Sequence, residues 1–199
     1  MRFGPQVYRS GALFPYLWID RSCFVYCLYR GTTVVIPKFD IKNFYSCIQK
    51  YKISFIHGVP PIVLALAKYP DLKYYDISSL RMILSAAAPL GKESSEEFHK
   101  ILKIPIKQGS GLTETSLVIN LSSSDNIVAG SVGDLVPNVE AKIVPVKGLE
   151  LGPTEGEICV RGPNIMKSYL NNDEATKDSF DEAEFFHTGD IARVDDNCN

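Results

Sequence analysis

Between residues 32 and 110 the sequence alternates, in short regular beats, between apolar runs and amphipathic segments. Four runs read as strands: TTVVIPKF (32–39), ISFIHGVP (53–60), LRMILS (80–85) and IPIKQG (104–109). Between them lie IKNFYSCIQKYK (41–52), PIVLALAKYP (61–70) and GKESSEEFHKIL (91–102), which read as helices. In the first helix Ile41, Phe44, Ile48 and Tyr51 fall on one face, and Asp40 stands where an N-cap belongs. Strands separated by helices of this length pair in parallel through crossovers, so the expected fold is an α/β layer. Ligands of such sheets bind beyond the carboxyl ends of the strands.

The rhythm is lost near residue 120. AKIVPV (141–146) and GEICVRG (156–162) read as short strands joined by a turn-rich connector, and NDEATKDSF (172–180) offers at most a helical turn. The expected organisation is an α/β part over 1–120 and a β-rich part over 121–199.

Composition removes several classes of function. The net charge is −2 with no long run of one sign, which gives no footprint for nucleic acid or an anionic membrane surface. The five cysteines are odd in number and contain no CxxC pair, against a disulfide framework or a zinc ribbon and in keeping with a reducing compartment. Cys23 and Cys27 would share a helix face and read as packing residues. The apolar stretch SGALFPYLWI (10–19) is too short to span a bilayer, so no transmembrane segment is expected.

Two loops follow the strands, and a third turn lies near the end of the chain. SAAAPLG (85–91) is small enough for a flat ligand to lie against backbone, or it is a plain strand-to-helix turn. GSGLTE (109–114) can turn backbone N–H groups toward phosphate oxygens, with Thr113 as donor and Glu114 as an oxygen ligand for Mg²⁺; a solvated loop fits equally well. FFHTGDIARVDDN (185–197) sets Asp190 after a glycine turn, where it can accept a ribose diol or simply form the turn; His187 then reads as a structural histidine.

Taken together, in this order and separation, these segments resemble the AMP-forming acyl-CoA synthetases of the adenylate-forming superfamily, and among them the 4-coumarate–CoA ligases. The resemblance also runs through YRGTTVVIPKFD, VPPIVLALAKYP, GSVGDLVPNVEAKIV and GEICVRGPNIMKSYLNN. It implies a partial parallel sheet followed by part of a small β-barrel-like subdomain. It also implies a two-step reaction: a carboxylic acid (aryl, hydroxycinnamic or fatty) is adenylated by Mg·ATP, and CoA then displaces AMP to give a thioester. Carried over residue by residue, the resemblance sets Ala86, Ala87, Gln108, Gly109 and Gly111 along the nucleotide and acyl cleft. It sets Thr113 on the phosphate, Glu114 on Mg²⁺ and Asp190 on the ribose, with Leu117 and Val118 bordering the acyl group. A cytoplasmic or peroxisomal location is implied as well.

The sequence also departs from this pattern. The family's phosphate loop and its C-terminal domain, each with a lysine, are not found in these 199 residues. Trp18 stands where an active-site histidine is usual, Ala86 for a glycine, Ser110 for the aromatic that stacks on adenine, Ser168 for the glycine of MKGY, and Glu184 for a glycine. A missing stacking ring costs about 1–3 kcal/mol, or roughly 10- to 100-fold in affinity. Each charge-stabilising lysine not found costs roughly 10²–10³ in rate, so the expectation is that the chain acting alone is inactive, with a non-catalytic nucleotide- or partner-binding remnant as the alternative. Exposure of Val34, Val35 and Ile36 at an uncovered sheet edge is a further expectation.

Overall fold

Apolar and β-branched runs form short strands, and the segments between them form helices. In the computed structural model, residues 6–9, 32–36, 39–86, 88 and 90–195 are described. The chain divides into two units, residues 1–108 with 124–130 and residues 109–123 with 131–199. The class is α/β, as expected.

The first unit holds a parallel sheet in the order β2-β1-β3-β4-β5. Its strands are β1 (Gln6–Arg9), β2 (Thr33–Ile36), β3 (Phe55–Gly58), β4 (Met82–Ser85) and β5 (Ile106–Ser110). The division between the units falls inside β5, after Gln108. The helices are α1 (Ile41–Tyr51), α2 (Pro60–Ala67) and α3 (Lys92–Leu102). Asp40 caps α1 by accepting the Asn43 N–H at 2.8 Å. Ile36, Phe44, Ile48, Ile56, Val63, Leu66, Ile83, Phe98 and Ile106 form the core between sheet and helices.

Two details differ from expectation. Tyr51 is exposed, and Tyr45 joins Phe44 as a buried aromatic of α1; its hydroxyl donates to the Leu66 carbonyl at 2.6 Å and its ring stacks on Tyr69 and Tyr75. Ile36 is also buried and Val34 packs against the same core, so the expectation that both stand uncovered is corrected; the side chain of Val35 lies outside the described residues.

In the second unit the last residues of β5 pair antiparallel with β6 (Asn120–Leu121), which pairs with β7 (Asp134–Leu135). A separate antiparallel sheet has the order β10-β9-β8, from β8 (Glu140–Val144), β9 (Glu155–Arg161) and β10 (Phe186–Arg193). The single helical turn expected near 172–180 is α4 (Asp173–Asp178), capped by Asn172. Ile119, Val160 and Phe186 form this unit's core with Val139, Ile158, Ile165, Met166 and Phe180. The β-rich part is this open three-stranded sheet together with the short β6–β7 pair, and no closed barrel forms among the described residues. No helix among them is long and apolar enough to cross a membrane.

Candidate functional site

The loop that leaves β5 is closed on itself by its own backbone. The Ile119 N–H donates to the Ser110 carbonyl at 2.9 Å, and the Leu117 N–H donates to the Leu112 carbonyl at 3.0 Å. At the base of this loop only glycine fits: a Cβ on Gly111 would lie 2.2 Å from the Leu117 carbonyl oxygen. The crest is a 3₁₀ turn, Thr113–Thr115, pinned from inside by Thr115. The buried Thr115 hydroxyl accepts the Leu112 N–H at 2.9 Å and donates to the Leu112 carbonyl at 3.1 Å. Ser116 and Leu117 then take positive φ, 51° and 90°, to turn the chain back. Non-glycine residues held there store conformational strain of the kind that collects at ligand loops.

This geometry leaves Thr113 exposed and Glu114 half-buried. The Tyr169 hydroxyl donates to Glu114 Oε1 at 3.0 Å, and the Glu114 carbonyl accepts the Met166 N–H at 2.6 Å. Burial and this carboxylate hold the Tyr169 phenol above its usual range. Asn164 fastens the same loop from the other side, donating to the Thr115 and Val118 carbonyls at 3.0 and 3.1 Å. Ser110, in place of a ring, turns its hydroxyl to Asn120 Oδ1 at 3.2 Å.

Asp190 lies on a different feature of the same unit. β10 is interrupted between His187 and Ile191: His187 pairs with Cys159 and Ile191 with Glu157, so Thr188, Gly189 and Asp190 bulge out opposite the single residue Ile158. Gly189 takes φ 74° at the crest. The Asp190 carboxylate is exposed and accepts no hydrogen bond from the described residues.

Beneath the bulge, Glu157 Oε2 meets His187 Nδ1 at 2.9 Å, and Cys159 Sγ lies 3.4 Å from that nitrogen. Burial alone would raise the Glu157 pKa, but hydrogen bonds from His187 and the Gly189 N–H outweigh it and hold the carboxyl below its usual range. Burial, with the Glu157 charge adding to it, pushes the Cys159 thiol up to about 11. Three donor types close together suggest a metal site. In this structure the three are joined to one another and to the Gly189 N–H by hydrogen bonds.

In the first unit, Ala86 follows β4 and is half-buried. Gln108 is buried, and its Oε1 accepts the Leu90 N–H at 3.1 Å, which fastens the far end of the loop that carries Ala86. Ala87 and Trp18 lie outside the described residues. Thus Gly111, Thr113 and Glu114 share one loop that Gly109, at the end of β5, leads into, Asp190 has its own bulge in the same unit, and Ala86 and Gln108 belong to the other. Tyr169, Asn164 and Glu157 are the supporting residues that sequence reasoning missed. The aromatic of MKSY and the glutamate before ICV were the available signals.

A parallel sheet with a strained glycine loop at a strand's carboxyl end, followed by a small antiparallel sheet with an exposed carboxylate, places the chain in the α/β class. The chain belongs to the AMP-binding enzyme family, whose model matches residues 12–170. It is 42% identical over 175 residues to 4-coumarate–CoA ligase 1 of Glycine max, covering 84% of this chain and 60% of that protein. It is 44% identical over 178 residues to 4-coumarate–CoA ligase 1 of Petroselinum crispum, covering 85% of this chain and 33% of that one. The chain therefore spans between about a third and three-fifths of these relatives' length. Among solved structures, ATP-bound MatB from Rhodopseudomonas palustris matches with a TM-score of 0.85 and 27% identity, over 99% of this chain and 39% of that one. The O-succinylbenzoate coenzyme A synthetase of Bacillus subtilis, in complex with ATP and magnesium ion, matches with a TM-score of 0.79 and 25% identity, over 97% and 40%.

Proposed function

We propose that this chain carries nucleotide-handling elements of an ATP-dependent carboxylic acid–CoA ligase of the 4-coumarate–CoA ligase type, acting in the cytoplasm or peroxisome on an aryl, hydroxycinnamic or fatty acid. The observation that carries the reading is the loop from Gly109 to Leu117. Its backbone is closed and strained, its hydroxyl at Thr113 faces solvent, and its Glu114 is fixed through one oxygen by Tyr169. A carboxylate oriented in this way, with a second hard oxygen to offer, fits Mg²⁺. Bound Mg·ATP would supply the electrophilic α-phosphate and the pyrophosphate leaving group. Thr113 would then donate to phosphate, Glu114 would hold the cation, and Asp190 would accept the ribose hydroxyls. By the family resemblance, Ala86, Ala87 and Gln108 in the first unit, and Gly109 and Gly111 in the second, are nucleotide- or acyl-contacting residues, with Leu117 and Val118 against the acyl group. Such a site works by positioning and preset charge rather than by covalent chemistry.

A second reading is that the chain binds nucleotide without turning it over, with adenine held less tightly because Ser110 stands where a stacking ring is expected. The Ser110 hydroxyl is engaged with Asn120 and offers adenine no ring. Two measurements test the pair. Calorimetric titration of the 199-residue chain with Mg·ATP or a non-hydrolysable acyl-AMP analogue should show binding tighter than millimolar, and none at that level overturns both readings. Acid-dependent exchange of labelled pyrophosphate into ATP should be at background, and measurable exchange would reject the second reading in favour of the first.

A further inference from the structure

The bulge in β10 poses an accounting problem. Three residues, Thr188 to Asp190, leave the ladder opposite Ile158 alone, so their backbone groups and the Ile158 carbonyl lose their cross-strand partners. Two side chains replace them. The Thr188 hydroxyl donates to the Ile158 carbonyl at 2.7 Å and accepts the Asp190 N–H at 3.1 Å. The Glu157 carboxylate accepts the Gly189 N–H through Oε1 at 2.9 Å, while its Oε2 is bonded to His187 at 2.9 Å. One carboxylate thus spans the bulge from its entry at His187 to its crest. Its side chain is only 19% exposed, so water competes weakly for these bonds.

We propose that Glu157 is a positioning residue for ribose recognition: its bidentate hold on His187 and Gly189, with the Thr188 strap, fixes the direction in which Asp190 presents its carboxylate. This inference rests on the nucleotide reading above. Both Glu157 oxygens are engaged, one with His187 and one with the Gly189 N–H, so its part in recognition is played through Asp190. The aim of a two-oxygen acceptor toward a diol depends on its backbone, and the bulge has no ladder bonds of its own to hold it. The free energy that orders the bulge is spent before ligand arrives, which is the general benefit of preorganisation.

The test is binding of AMP and of 2′,3′-dideoxy-AMP to the full 199-residue chain and its variants, by calorimetry. Glu157→Ala should weaken AMP about tenfold or more while leaving the dideoxy nucleotide unchanged. Glu157→Gln keeps a carbonyl for the Gly189 N–H and should recover most of the AMP affinity. On an Asp190→Ala background, Glu157→Ala should have no further effect. If Glu157→Ala fails to fold, Thr188→Val takes its place, with the same selective loss expected and Thr188→Ser as the rescue. Equal losses for both nucleotides, or no loss for AMP, would overturn the positioning role while native binding stands. Failure of the native chain to bind AMP at all would overturn the nucleotide reading, and this inference with it.

Discussion

Single residues with unusual backbone angles are where this molecule departs most from an ideal sequence. Glu184 takes φ 62° in the turn before β10, a conformation that costs an L-residue roughly 1–2 kcal/mol and glycine almost nothing. The turn itself is well made: the Glu184 N–H donates to the Asp181 carbonyl at 3.0 Å, and Asp181 Oδ1 accepts the Ala183 and Phe185 N–H groups at 2.9 Å. Glycine is what the family resemblance leads one to expect at this position. Allowing for glycine's greater freedom in the unfolded chain, Glu184→Gly should stabilise the protein by about 0.5–1 kcal/mol. The urea midpoint should rise with an unchanged slope, and a fall would mean that the glutamate makes a compensating contact. Gly111 is the opposite case, a required glycine that has been kept.

At the scale of elements, α1 shows how a local signal and a tertiary one divide the work. Asp40 was readable as its cap because capping depends on residues three apart, and the bond to the Asn43 N–H is there. Replacing Asp40 with alanine should cost about 1 kcal/mol, measured by thermal or urea unfolding; no change would mean that α1 is held by packing alone. Tyr45 was not readable as core. Its burial depends on Tyr69, Tyr75 and the Leu66 carbonyl, all of which arrive from later in the chain. The candidate site divides in the same way. The β5 loop and the Asp190 turn could be found because their glycines, hydroxyl and carboxylates are neighbours in sequence. Tyr169 reaches Glu114 from 55 residues away and Glu157 reaches Gly189 from 32, and no periodicity or spacing rule spans such gaps. The strand–helix alternation was legible nearly element by element, since each beat carries its own pattern of burial and its own breaker. The bulge in β10 was not, because an extra residue in a strand is defined only by what lies across from it.

For the whole molecule, the titrating groups agree on how stability should vary with pH. Hydrogen bonding to Lys142 is the largest of the effects that hold the Asp181 carboxyl down to about 2, below its ordinary 3.8. A depressed carboxylate contributes its full stabilisation above its unfolded pKa and loses it as the pH falls through the folded one. That window runs from about 4 to about 2. His57 sits edge-on to Phe55, and desolvation lowers it from 6.5 to about 4. The unfolded chain therefore takes up a proton that the folded one refuses between those values, and stability again falls with pH. Both terms carry the same sign, so urea midpoints should decline from pH 7 to pH 5 and further by pH 3. A midpoint that holds level or rises over that range would contradict both assignments.

Cys159 lies fully enclosed in β9, its proton held on by burial and by the charge of Glu157. An alkylating reagent needs both access and the deprotonated sulfur, and the burial of this side chain opposes both. The rate at which this one atom is modified therefore counts how often the strands around it part, which gives the β8–β10 sheet its own built-in clock.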